Sequence, residues 1–136
     1  MIWQRSRELT KYRPAIGPDG CAFMCLIYML TELDPERHAA CFQIIRLYDE
    51  CVQKGWMASD CTILSWQDCA DAYAPDAVEY LGHKPADYEL KEDEIAIEYW
   101  EWGTHSHFIY HGYDPWPNSK TRRNGTVRSL RVFRIK

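Results

Sequence analysis

The stretch GCAFMCLIYML, residues 20–30, is apolar at nearly every position after its first glycine. Its apolar side chains would lie all round a helix rather than along one stripe, which predicts a buried helix. The loop before it, residues 14–20, is rich in Pro and Gly and stops abruptly at Cys21. We expect the cap of this helix at Asp19 or Gly20.

Two further helices are predicted downstream of this segment. Asp34 and Pro35 open the second one, because Pro is tolerated in the first helical turn. Its apolar positions recur with a period near that of a helix until Gly55, which takes a C-terminal cap role. The third helix covers residues 63–73, and Pro75 prevents it from continuing.

Beyond these helices the apolar period changes from that of a helix to that of a strand. Strand patterns cover residues 77–81, 94–100, 107–110 and 127–135. The pair Asn124-Gly125 is a hairpin signal that leads into the last strand. Helices before an antiparallel sheet predict an α+β fold, with N-terminal helices packed on a C-terminal sheet. The length of 136 residues fits one domain over residues 1–136.

Composition and charge exclude several classes of partner. The net charge of −4 gives no reason to expect nucleic acid or an anionic membrane as a partner. Lys120–Lys136 holds seven basic residues and no acidic one, a pattern that could contact nucleic acid or an acidic partner. The simpler interpretation is that the acidic run from Glu89 to Glu101 faces this tail across the sheet. The N-terminal residues show no signal-peptide pattern, so we expect a cytoplasmic protein.

The cysteines fit that compartment. There are six of them, at positions 21, 25, 41, 51, 61 and 69, mostly within helical patterns. No CxxC pair occurs, which argues against a structural zinc site. We therefore expect mostly reduced thiols, several of them acting as small core residues.

Cys21 is the candidate nucleophile. A thiol at a helix N-terminus meets unpaired N–H groups and the positive end of the helix dipole, which favours the nucleophilic thiolate. The same N–H groups can stabilise an oxyanion. A cysteine nucleophile needs a base distant in sequence, and His107 and His105 both qualify. Strand periodicity cannot separate them, but the apolar strand after His107 favours that residue as the more rigidly held base. The competing hypothesis for Cys21 is a buried structural thiol.

Asp114 is the candidate that orients the histidine, and Asn118 is its reserve. Seven residues of straight strand would carry Asp114 roughly 23 Å from His107, so the chain must reverse, and His111-Gly112 is the predicted place. A turn initiated by Asp-Pro is the alternative interpretation of Asp114. A metal site on His105, His107 and His111 is a weaker hypothesis, since strand spacing suits only the first two.

These residues lie in segments that resemble the papain-like cysteine peptidases. GCAFMCL, residues 20–26, is most similar to the nucleophile segment of the branch that holds bacteriocin-leader peptidases and their phage and bacterial relatives. HFIY at 107–110 and DPW at 114–116 resemble that branch's Gly-His-Phe-Val and later Asp-Pro. RVFRI at 131–135 resembles a group of uncharacterised phage and spirochaete proteins of this type, and the similarity extends more loosely over 56–66.

The resemblance implies a papain-like domain that needs no cofactor and no metal. Cys21 would attack the carbonyl of a peptide or isopeptide bond, His107 would transfer the proton to the leaving amine, and Asp114 would orient His107. Backbone N–H groups near Cys21, with Gln4 in support, would stabilise the oxyanion. The expected partner is a peptide or protein substrate rather than a membrane or nucleic acid.

Three departures from the family pattern keep a second hypothesis open. Ser106 stands where Gly usually precedes the histidine, and the spacing from His107 to Asp114 is short. The family commonly places a Gln several residues before the cysteine, whereas residues 13–19 contain none and Gln4 is the only Gln upstream of Cys21. The alternative is therefore a catalytically inactive papain-like binding module, of phage or mobile-element origin, that engages a host protein.

Overall fold

The computed structural model describes residues 2–34, 36–37, 39–111, 113–117 and 120–136. Helices fill the N-terminal half and a four-stranded antiparallel sheet fills the C-terminal half, which confirms the predicted α+β class. The elements are α1 Arg7–Thr10, α2 Ile16–Asp19, α3 Cys21–Leu33, α4 Cys41–Gln53, α5 Trp66–Tyr73, β1 Val78–Pro85, β2 Glu94–Trp102, β3 His105–Tyr110, α6 Thr121–Asn124 and β4 Thr126–Ile135. Within the described ranges, no helix combines the length and apolarity needed to cross a membrane.

Helix α3 is the central helix, as its sequence predicts. Eight of its 13 residues are buried, spread around the whole helix. Gly20 occupies the N-cap. A Cβ at Gly20 would lie 2.4 Å from the carbonyl oxygen of Ile16, so the chain needs glycine to pass from α2 into α3 this tightly.

The predicted start of the second helix is wrong. Helix α4 begins at Cys41, and the backbone N–H of Ala40 donates to the side chain of Gln43, which fixes the helix start there. Asp34 forms a turn instead: its side chain accepts from the N–H of Glu36. Asp side chains compete with helix formation through such local hydrogen bonds. Pro35 lies outside the described residues. The C-terminal end of α4 is as predicted, with Gly55 just beyond it at a φ of +77°.

The third helix starts later than predicted and ends where expected, at Tyr73. Ile63 lies in an antiparallel bridge with Met57 rather than in the helix. The side chain of Ser65 accepts a hydrogen bond from the N–H of Asp68 and caps α5, so the helix begins at Trp66.

The strands appear where the sequence predicts them, but they are longer and their order is not sequential. The sheet order is β1-β4-β2-β3, so the last strand lies between β1 and β2. The pair Asn124-Gly125 therefore does not form a hairpin, and that prediction is wrong. Asn124 ends the short helix α6, and the N–H of Gly125 donates to the carbonyl of Thr121. The partner of β4 is distant in sequence, and a local turn signal cannot indicate it.

Pairing of β2 with β4 sets acidic residues against basic ones. Glu94 lies opposite Arg134, and Glu101 forms an ion pair with Arg128 at 3.5 Å. The prediction that the acidic run faces the basic tail across the sheet is confirmed for these strands.

The sheet is apolar on both faces. One face carries Ile97 and Phe133 into the main core with the helices, whereas the other carries Ala96, Leu130 and Val132 into a smaller cluster. Side chains on the first face can therefore reach the space between helices and sheet, where the candidate site lies.

Candidate active site

Helix α3 packs along the edge strand β3, and this contact determines where Cys21 lies. One turn into the helix, the buried Cys25 thiol donates to the carbonyl oxygen of Phe108 at 3.4 Å. Burial raises the pKa of the Cys25 thiol well above its ordinary value, so this group is a structural donor. Cys21, the first residue of α3, is partly exposed and comes alongside His107 of β3.

The His107 ring joins the other two candidate residues. The ring is 4% exposed, and its Nε2 lies 2.6 Å from Oδ1 of Asp114. Because a carboxylate only accepts, Nε2–H donates to Asp114. The Cys21 side chain interacts with the same imidazole and helps to raise the pKa of His107. The three residues therefore form one interacting group centred on the ring.

The environment of His107 favours its charged form. Burial of the ring, the largest single influence, lowers its pKa. The hydrogen bonds to Asp114 and Cys21, together with the charges of both partners, outweigh burial and raise the pKa of His107 from 6.5 to about 9. These interactions favour the imidazolium form of the ring at neutral pH, held between Asp114 and Cys21.

A chain reversal returns Asp114 to His107, as the sequence reasoning required. Tyr110 and Tyr113 form an antiparallel bridge, so the direction changes between them. Oδ1 of Asp114 also accepts from the N–H of Trp116 at 2.9 Å, and the Trp116 ring packs edge-on against His107. The carboxylate is thus held on two sides. The reserve candidate Asn118 and Gly112, where the reversal is predicted, lie outside the described residues.

The alternative histidines are placed elsewhere. His105 is exposed and stacks on Trp102, with ring centroids 5.3 Å apart. His111 is also exposed. Among the residues that the structure describes, no group of three or more His, Cys, Asp and Glu side chains could hold a metal ion.

Gln4 is buried between helix α2, which precedes Cys21, and the segment that carries Asp114. Its backbone N–H donates to Pro115, next to Asp114, and its side-chain Nε2 donates to the carbonyl of Gly17, ahead of Cys21. One of the two N–H groups of the Gln4 amide is used in this hydrogen bond, and the other remains as a donor. The Oε1 atom of Gln4 is buried without a hydrogen-bond partner in the described part of the chain. Its role as an oxyanion donor stays a prediction.

Cys21 and His107 open onto a cleft of about 350 Å³ between α3, the loop before α5, and the sheet. Its walls include residues that the sequence reasoning did not identify, among them Trp66, Phe108 and Arg131. The sequence carries one signal for Arg131, a charge in the middle of an apolar strand pattern, but it does not indicate which face of the sheet the residue lies on. Trp66 and Phe108 gave no such signal, since core aromatics look the same in sequence.

Cys61 also lines the cleft and adopts an unusual backbone conformation, with a φ of +69°. Its thiol is 2% exposed, and burial, followed by the charges of Asp19, Asp60 and Cys21, raises its pKa to about 12. Cys61 is therefore held as a neutral thiol beside the candidate nucleophile. All six cysteines are free thiols in the structure.

Fold and site together define an α+β protein that brings Cys21, His107 and Asp114 together at the junction of a buried helix and an edge strand. A family model described as "Protein of unknown function, DUF261" matches residues 2–135, so the chain belongs to the DUF261 family. No curated protein and no solved structure matches it.

Proposed function

We propose that this protein is a papain-like cysteine peptidase or amidase that cleaves a peptide or isopeptide bond. The observation that supports the proposal most directly is that Cys21 and Asp114 both interact with the His107 ring. A nucleophile, a base and a residue that orients the base are the three parts that nucleophilic acyl transfer requires. The cytosol suits six free thiols and is the compartment that we propose.

The proposed reaction follows the proton that passes between Cys21, His107 and the leaving amine. Nδ1 of His107 holds the thiol proton, and the Cys21 thiolate attacks the carbonyl carbon. The tetrahedral intermediate then collapses, the C–N bond breaks, and the proton on His107 passes to the leaving amine. Water attacks the resulting thioester while His107 takes one of its protons, which releases the acid and restores the thiol. Asp114 stabilises the imidazolium in both halves of the reaction.

The N-terminus of α3 supplies donors for the oxyanion. The N-cap is Gly20, which has no side chain to accept from the first-turn N–H groups, and no side-chain cap is formed there. Those N–H groups have no partner within the helix. They lie beside the Cys21 thiol, where the carbonyl oxygen of a substrate becomes negatively charged. Gln4 would add the remaining N–H of its amide.

The test combines selective alkylation with hydrolysis. Iodoacetamide at pH 6.5, followed by peptide mapping, should label Cys21 ahead of the other five cysteines, because Cys21 is partly exposed and lies beside the His107 ring. A quenched fluorescent peptide library should be cleaved by the native protein but not by Cys21→Ala. The fold should survive, since the Cys21 side chain is only partly buried.

A matched control is Cys41→Ala, which removes another partly exposed cysteine from the first position of a helix. Its activity should equal that of the native protein. Full activity in Cys21→Ala would contradict the mechanism. Selective labelling of Cys21 without cleavage of any peptide would favour the inactive binding module instead.

A further inference from the structure

Arg131 occupies an unusual place for a charged residue. It lies in the middle of β4, paired with Ile97 of β2. Ile97 is fully buried in the main core, so Arg131 is on the sheet face that the helices cover. Its side chain is only partly exposed, and it lines the same cleft as Cys21 and His107.

The guanidinium has no counter-ion among the described residues. Its contacts are the rings of Phe108 and Tyr99, with centroids 5.4 and 5.8 Å from Cζ, and the hydroxyl of Ser129, which accepts from Nη1 at 2.9 Å. Burial lowers the pKa of Arg131, as expected for a cation moved partly out of water. By contrast, the exposed Arg128 of the same strand has an ion pair with Glu101.

Moving a cation partly out of water without a counter-ion costs free energy unless an anion binds to it. The aromatic rings compensate part of that cost, and the bond to Ser129 fixes the guanidinium in one orientation. Its remaining N–H groups form the planar fork that matches a carboxylate.

The lining of the cleft also includes charges of the other sign. Asp19 and Asp60 line it, and both are exposed. An anionic group that enters the cleft is repelled by these carboxylates and attracted to Arg131.

We infer that Arg131 is a specificity residue that binds a carboxylate of the substrate close to the scissile bond. The inference rests on the proposed function for its meaning in catalysis, although the binding itself can be measured without catalysis. The carboxylate can come from a Glu or Asp side chain or from a free C-terminus. Both present the same planar group to the guanidinium.

The experiment uses Cys21→Ala protein, so that hydrolysis cannot interfere with binding. Two pairs of probes distinguish the sources of the carboxylate: acetyl-Gly-Glu-Gly-amide against acetyl-Gly-Gln-Gly-amide, and acetyl-triglycine against its C-terminal amide. Binding is followed by NMR titration up to the solubility limit of each peptide, including the Nε–H signal of Arg131. In at least one pair, the carboxylate should bind about tenfold tighter or more than its amide, the discrimination expected of a charge-assisted hydrogen bond.

Variants then assign the effect to Arg131. Adding Arg131→Gln should abolish the discrimination, whereas Arg131→Lys should keep part of it, since Lys retains the charge without the fork. Arg128→Gln is the matched control, because it removes the same charge from an exposed position of the same strand, and it should leave discrimination unchanged.

The outcomes separate this inference from the proposed function. Equal affinity within both pairs, or no binding of either carboxylate, overturns the inference even if the native protein cleaves peptides. Discrimination that survives Arg131→Gln overturns it as well. If an Arg131 variant does not fold, the comparison within each pair and the Arg131 signal still decide. If the Cys21→Ala protein binds a carboxylate probe tighter than its amide but the native protein cleaves no peptide, the peptidase proposal is refuted and the carboxylate site stands.

Discussion

Replacing Asp114 by Asn should lower the pKa of His107 while keeping the ring in place. An Asn side-chain oxygen can still accept from Nε2–H, but it carries no charge. In the native protein, the rise in the pKa of His107 from 6.5 to about 9 corresponds to about 3.4 kcal/mol at 1.36 kcal/mol per pKa unit. The hydrogen bond to Asp114 is the largest influence that raises it. Loss of an adjacent opposite charge shifts a pKa by roughly 1 to 3, so the pKa of His107 should fall toward 6.5.

The same change should alter the dependence of stability on pH. Because the folded pKa of His107 lies above the unfolded value, the ring stabilises the native protein fully below pH 6.5. That contribution is lost as the pH rises through about 9. Urea unfolding at both ends of this window should show the loss in the native protein and a smaller loss in Asp114→Asn.

The direct assay is an NMR titration of the imidazole ring nitrogens. The exposed His105 serves as an internal control for the measurement, because it contacts Trp102 rather than the site. A native His107 that titrates at or below pH 6.5 would refute the reasoning. So would an Asp114→Asn protein in which the His107 curve does not move.

Three other predictions use different parts of the structure. His107→Ala should remove both the cleavage of peptides and the selective alkylation of Cys21, whereas His105→Ala should retain them; the reverse result would exchange the two assignments. Gly20→Ala should destabilise the protein by about 1–3 kcal/mol in urea unfolding, the cost of overpacking, because its Cβ would lie 2.4 Å from the carbonyl oxygen of Ile16. An unchanged midpoint would contradict that contact. Mass spectrometry of protein alkylated without reductant should find six free thiols, and two or three native disulfides would argue against the cytosolic compartment.

Local sequence patterns were sufficient to predict the helices and strands whose conformation is set by neighbouring residues. An apolar run without a polar stripe predicts α3, and alternation predicts the inner part of β2. The start of α4 was predicted wrongly because an Asp such as Asp34 fits a helix cap and a turn equally well. Only the hydrogen bond from the N–H of Glu36 to Asp34 shows that it forms a turn. The hairpin prediction at Asn124-Gly125 failed because β4 pairs with strands far away in sequence.

The candidate site shows the same division. Cys21 and His107 could be selected from the segments that come directly after them, a buried helix and an apolar strand. The contact between Asp114 and His107 depends on a chain reversal that the sequence allowed but did not require. Arg131 was interpreted only as one charge of a basic tail, because its place inside the cleft depends on which face of the sheet the helices cover.

The position of β4 also determines the order in which this molecule can be completed during synthesis. Every other helix and strand precedes β4 in the chain, yet β4 pairs with both β1 and β2. A nascent chain that has emerged only through β3 has its helices and a β2–β3 pair, but β1 has no neighbour. Closing such long-range pairs is slow, because the loop entropy is lost before the contacts form. During synthesis the sheet therefore consists of two separate parts until β4 emerges, and the cleft is complete only after the strand that carries Arg131 has joined them.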